Sequence, residues 1–277
     1  MSTAAEPAPP VGTPATEVPR TMRRLEPAAI AGVMSREVAN FRTYWRGTTF
    51  SSVLEPLVYL LAFGLGLSAT LVDEVEGVPY IEFVGTGMVA TAVIFSSALP
   101  AMFGTFVKHR FQNTYDAILA APVDTEELVT AEAIWIAARA GVYGCVPLIV
   151  AMFFGLDPSW GMLLVPFIGW LAGFGWACFG IMVAGFASSF ENFNYIVSAV
   201  LTPLFLVAGT FFPLTRLPEW AQKLAQINPL HQCVELVRHA VFGISDPTDP
   251  LRVAVLVVFG LVMWRIGIHA MERKLID

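Results

Sequence analysis

The sequence predicts an all-α integral membrane protein: six transmembrane helices, an N-terminal amphipathic interface helix and extracellular re-entrant helices before the last span. Three observations predict it. Only 14% of the 277 residues are charged and 56% are hydrophobic, against about 25% charged in an average soluble chain, so bilayer is the natural solvent. Apolar windows near the roughly 20 residues that cross hydrocarbon recur at about 51–71, 81–106, 129–154, 161–186, 194–212 and 251–269. Basic residues precede the first window (Arg20, Arg23, Arg24, Arg36, Arg42, Arg46), follow the second (Lys108, Arg110) and follow the last (Arg273, Lys274), whereas the short loops 72–80 and 155–160 hold no Lys or Arg. The positive-inside rule then expects both termini in the cytoplasm.

Residues 1–22 are rich in Pro, Ala and Thr and have no apolar h-region, which predicts a disordered tail and not a cleaved signal peptide. A connecting helix is expected over 23–47, with Ile30, Val33, Met34, Val38, Phe41, Tyr44 and Trp45 on one face, lying in the cytoplasmic interface. Gly47 and Thr48 are expected to let the chain turn into the first span, and 48–277 to form the transmembrane domain. The net charge of −6, with no basic stripe, speaks against a nucleic-acid partner. Cys145, Cys178 and Cys233 are too scattered for a disulfide framework.

The stretch 108–128 is too polar to span and too patterned for a loose loop. It predicts a short helix over Tyr115–Leu119, a stop at Pro122, and a new helix capped by Asp124 or Thr125 with Glu126 and Glu127 in its first turn. A solvated linker and a stiff helix-turn-helix that docks a soluble partner both fit this pattern. Arg139 falls within the third span, where charge is expensive. Glu55 in the first span and Glu132 are its candidate partners, either as a structural pair or in a pathway or gate.

After the fifth span, Trp220, Leu224 and Ile227 line one face of a short interfacial helix, and Pro229 opens a second helix in which Glu235 can support Arg238 and His239. Pro213 and Pro218 set bends in this outer segment, 213–243. His231, Cys233 and His239 are better read as helix-surface polar groups and a buried thiol than as metal ligands. Only three lysines exist and none follows a glycine, so the chain carries no Walker A site, and no HExxH, GxSxG or catalytic carboxylate pair appears in a loop. An ion-coupled carrier or channel using Glu55, Arg139 and Glu132 is the rival class, although no inverted repeat accompanies them.

Two pairs of motifs carry a resemblance: TYDAILAAPV (114–123) with ELVTAEAIWIAARA (127–140), and LTPLFLVAGTFFPLTRLPEW (201–220) with NPLHQCVELVRHAVFG (228–243). Over about 25–275 the sequence resembles the type-2 (ABC-2) ABC exporter permeases, in the branch of NodJ-type lipo-oligosaccharide and daunorubicin-type drug exporters. The resemblance implies that Tyr115, Asp116, Ala117, Ile118 and Leu119 form the segment coupled to a separate ABC ATPase. It also implies two ATPase copies that bind ATP and Mg, no cofactor in this chain, and a second permease copy, identical or paralogous. An amphipathic cargo would pass the first, second and fifth spans, with Phe205, Phe211 and Phe212 as pathway candidates. Pro213, Trp220, Glu235 and Arg238 would belong to an external re-entrant cap in the cytoplasmic membrane.

Overall fold

Proline, left-handed positions and side-chain caps divide the apolar sequence into helices. The computed structural model describes residues 25–59, 61–62, 74–75, 77–216 and 218–276. Helix α1 spans Pro27–Tyr59. A small antiparallel hairpin, β1 (Glu74–Val75) with β2 (Val78–Pro79), leads through Gly77 at φ 81° into α2 (Tyr80–Arg110). Asn113 adopts φ 48°, a conformation Asn tolerates better than most residues, and turns the chain into α3 (Thr114–Leu119). A reciprocal capping box between Asp124 and Glu127 starts α4 (Thr125–Gly144). After an offset at Cys145, α5 (Val146–Phe153) continues with Pro147 in its first turn. A 3-10 turn, Trp160–Leu164, precedes α6 (Val165–Phe186).

Among the described residues, four stretches are long and apolar enough to cross a membrane: Tyr80–Arg110, Thr125–Phe153, Trp160–Phe186 and Asp249–Leu275. They match the expected second, third, fourth and sixth spans, the last as α11 (Asp249–Ile276).

The other two expected spans differ. Helix α1 passes straight through Gly47 and Thr48, so the turn expected there is absent and the connecting segment is continuous with the start of the first span. Packing of α1 along α4, with the Thr49 hydroxyl 2.8 Å from the Tyr143 hydroxyl, outweighs the roughly 1 kcal/mol helix penalty of one glycine. The remainder of that span, residues 60 and 63–73, lies outside the described residues, as does the 1–22 tail. The expected fifth span, 194–212, does not stay helical. Helix α7 (Glu191–Ile196), a π-helical turn (Val197–Leu201) and α8 (Thr202–Leu206) end at Leu206. From Glu191 that is about 24 Å at 1.5 Å per residue, short of the roughly 30 Å of hydrocarbon. Pro203 occupies the first turn of α8, and Gly209 at φ 85° turns the chain away. Two further helices follow, α9 (Glu219–Ile227) and α10 (Pro229–Phe242).

Helices α2 and α6 form the centre. The most apolar window of α2 is 61% buried within the molecule against 22% for α11, which turns a broad apolar face outward. Helix α6 meets three neighbours through glycines. A methyl group on Gly180 would lie 2.6 Å from the Ala98 carbonyl oxygen of α2, one on Gly141 of α4 would lie 2.5 Å from the Pro166 carbonyl oxygen, and one on Gly185 would lie 2.8 Å from the Ala270 side chain of α11. The buried apolar residues form two clusters. The larger holds Phe83, Met88, Trp176, Leu230 and Val234; the smaller, at the α3 end, holds Val33, Tyr115, Leu128, Ile181 and Met271.

Because Gly180 sits on backbone that cannot move away cheaply, Gly180→Ala should destabilise the protein in detergent by about 1–3 kcal/mol. Gly32→Ala in α1, which meets nothing within 4 Å, should be neutral or stabilising by up to about 1 kcal/mol. Thermal unfolding compares the two, and equal effects would contradict the close packing of α6.

Candidate functional site

At the α3 end, four helices are joined through one lysine. Lys108, in the last turn of α2, places its Nζ 2.9 Å from Glu37 Oε1 of α1 and also donates to Glu132 Oε1 of α4. Arg36 completes the group with Nη1 3.0 Å from Glu37. The second oxygen of Glu132 accepts from the Tyr115 hydroxyl of α3, and the Thr105 hydroxyl approaches it at 3.4 Å. Both carboxylates are nearly inaccessible, with side chains 5% and 3% exposed. Burial first, then the neighbouring Glu132 charge, hold the Tyr115 hydroxyl well above its ordinary pKa, so it remains a donor. Two cations and two carboxylates face one another with their hydrogen-bonding capacity largely met, the condition under which buried charge is tolerated.

This arrangement sorts the five residues expected to couple to a partner. Tyr115 is buried and faces into the protein. Ile118 and Leu119 are half-buried against the smaller core cluster. Asp116 and Ala117 are exposed, and Phe111 beside them is 64% exposed. Tyr115 is thus the anchor of α3, and the free face of that helix is Asp116 and Ala117. The start of α1 is tied to the same region, because the Glu26 amide donates to Glu127 Oε1 at 2.7 Å.

Arg139 does not pair with Glu132, whose oxygens are taken by Lys108, Tyr115 and Thr105. Its guanidinium lies 5.8 Å from the Phe41 ring centroid, and its Nε has no hydrogen-bond partner among the described residues. The Glu55 side chain lies outside the described residues.

The opposite end is built around α10. The broken fifth helix leaves carbonyl groups without helical partners, and α10 with its N-cap supplies donors to them. Asn228 Nδ2 donates to the Leu204 carbonyl at 2.8 Å, His231 Nδ1 lies 3.0 Å from the Ala208 carbonyl, and Arg238 Nη2 donates to the Gly209 carbonyl at 2.8 Å. The Arg238 guanidinium also sits 3.6 Å from the Phe83 ring centroid, within reach of Glu235 at 3.4 Å. His231 is therefore buried and not the helix-surface group expected from the sequence, and Arg238 is buried as well. Burial lowers the His231 pKa, which keeps the ring neutral near pH 7. Glu235 meets His239 as well as Arg238, as its spacing predicts. Among the described residues no group of His, Cys, Asp and Glu is placed to hold a metal ion.

Of the pathway candidates, Phe205 packs edge-on against Phe95 at 5.8 Å and Phe211 at 5.3 Å, while Phe212 is 38% exposed. Pro213 is buried. Trp220, Leu224 and Ile227 of α9 face away from the protein, with Ala221 and Ala225 turned inward.

Glu37, Asn228 and the hub role of Lys108 escaped the sequence reading. Glu37 lies four and three residues after Val33 and Met34, so an acid on the apolar stripe of α1 was the available signal. Asn228 before Pro229 has the signature of a helix N-cap.

Loss of the hydroxyl in Tyr115→Phe leaves a buried carboxylate short of a charge-assisted hydrogen bond and should cost about 2 kcal/mol. Asp116→Asn on the exposed face should stay within about 0.5 kcal/mol of the parent. Unfolding in detergent tests both; a silent Tyr115→Phe would contradict the anchoring role.

A family model for the ABC-2 type transporter matches residues 30–242. The chain is 29% identical over 239 residues to Nodulation protein J of Sinorhizobium fredii (strain NBRC 101917 / NGR234), covering 84% of this chain and 90% of the relative. It is 31% identical over 237 residues to Nodulation protein J of Rhizobium meliloti (strain 1021), with 83% and 89% covered. Similarity to the inner membrane transport permease YadH of Escherichia coli (strain K12) is 26% over 247 residues, with 88% and 96% covered. A match reaching from the first turn of α1 to the last residue of α10 makes this membrane-embedded protein a member of the ABC-2 type transporter family.

Proposed function

We propose that the chain is the permease subunit of an ATP-driven ABC exporter, with two permease copies working with two ATPase subunits. The observation that carries this reading is α3, a short helix with a free Asp116–Ala117 face and a buried Tyr115 tied to three other helices. A push on that face by a soluble subunit would be transmitted to α1, α2 and α4 together, because the buried ion cluster resists separation. ATP and Mg would be bound by the partner, and this chain would supply the docking face and the passage.

The α3 end would face the cytoplasm, with both termini on that side. Lys108 and Arg110 at the end of α2 and Arg273 and Lys274 at the end of α11 support this orientation. The α10 layer would then lie on the outer side of the cytoplasmic membrane, with the exposed apolar stripe of α9 resting in the interface. The Phe95, Phe205 and Phe211 rings beside Phe212 would suit an amphipathic cargo such as a lipo-oligosaccharide, a glycolipid or a hydrophobic drug.

The ion-coupled alternative needs Glu55, Arg139 and Glu132 in a relay, and the engagement of Glu132 with Lys108 and Tyr115 speaks against it. Transport driven by an ion gradient without nucleotide would favour it.

Replacing the free face, Asp116→Arg with Ala117→Trp, should weaken docking of the proposed ATPase partner by about 2 kcal/mol, the scale of an interface hot spot. Co-purification and transport should fall together while the thermal transition stays in place. Unchanged transport in that variant would remove the coupling assignment.

A further inference from the structure

A cavity of about 340 Å³ runs along the seam of α4, α6 and α11, at the lower end of the about 300–1,000 Å³ common for small-molecule sites. Its walls include Thr130 and Ile134 of α4, Trp170 and Phe174 of α6, and Leu261 and Trp264 of α11. All three helices belong to stretches of membrane-crossing length, so the mouth opens toward hydrocarbon. The Thr130 hydroxyl is already satisfied: it donates to the Glu126 carbonyl at 2.6 Å and accepts from the Trp264 indole at 2.9 Å. The interior therefore asks for an apolar occupant.

One end of the slot is charged. On α11 the stripe Val257, Leu261 continues one turn on to Arg265, and on α4 the stripe Ile134, Thr130 continues one turn back to Glu126. Arg265 Nη1 and Glu126 Oε1 meet there at 3.3 Å, and the Arg265 side chain remains 58% exposed. A guanidinium presents five N–H groups, so one carboxylate does not exhaust it. An apolar slot that ends in a partly engaged arginine has the outline of an amphiphile with an anionic head.

We propose that this slot holds an acyl chain of an anionic glycerophospholipid whose phosphate sits at Arg265, in the leaflet on the α3 side. Within hydrocarbon an acyl chain gains no transfer free energy by entering. The slot fills because an empty one would forfeit dispersion contacts along its walls, and the head group supplies the selectivity. None of these lining residues belongs to the Phe95–Phe205–Phe211 run, so the site is separate from the proposed cargo passage. It requires only that the chain be membrane-embedded, not that it export anything.

The test is native mass spectrometry of the full chain released from bilayers of equal phosphatidylglycerol and phosphatidylcholine. One retained phosphatidylglycerol per chain is expected, favoured about fivefold over phosphatidylcholine. Arg265→Gln should bring that preference to parity or below, and Glu126→Gln, which frees the guanidinium, should raise it. Leu261→Trp, which fills the slot from an exposed position, should remove the bound lipid. Absence of retained lipid in the parent chain, or the same head-group preference in all three variants, would overturn the proposal. So would disulfide-linked dimers of Leu261→Cys in the bilayer, because a second copy would then cover this face.

Discussion

Lys108 stands between two buried carboxylates that belong to different helices, and the α3 end of the molecule is organised by that meeting. Neither Glu37 nor Glu132 would be tolerable alone at such depth, since an isolated buried charge costs several kcal/mol. Together they fix how far α1 and α4 can move from α2, and through the Tyr115 hydroxyl they fix α3 as well. A six-residue helix has too few backbone hydrogen bonds to be stable by itself. Its orientation is borrowed from the ion cluster and from the apolar contacts of Ile118 and Leu119 beneath it.

The opposite end solves a different problem. Ending the fifth helix at Leu206 releases carbonyl groups into a largely apolar surrounding, and each one left unsatisfied would be costly. Asn228, His231 and Arg238 answer three of them from a neighbouring helix. This explains why α10 carries strongly polar side chains on a face that is buried. The broken helix and the polar helix require each other, and the long α2 joins the two ends, with Phe83 under Arg238 and Lys108 in the ion cluster.

Much of the fold was legible because long apolar runs bounded by charge have one economical solution in a bilayer. Four membrane-length helices lie where the hydropathy pattern puts them, and Pro122, Asp124 and Glu127 mark the α3–α4 boundary. The fifth span is helical over only part of its expected length because hydropathy measures burial and not helicity: 207–212 is apolar, yet Gly209 turns it out of the helix, and α10 reaches the carbonyls of Ala208 and Gly209. Gly47 misled in the other direction, since a glycine breaks a helix only where packing allows. At the sites, residue pattern identified α3 and the Glu235–Arg238–His239 spacing of α10, but not the partners that other helices supply. The sequence pairs Glu132 with Arg139 alone, and only the three-dimensional path of α2 brings Lys108 to it.

Hydrogen–deuterium exchange of the full chain in a bilayer nanodisc, comparing the parent with Lys108→Met, tests the central claim most directly. Removal of the ammonium should leave Glu37 and Glu132 opposed and loosen their helices, so amides of 114–119 and of α1 around Glu37 should exchange faster while those of α10 keep their protection. Unchanged exchange across 114–119 in that variant would contradict the account, because the position of α3 would then not depend on the ion cluster.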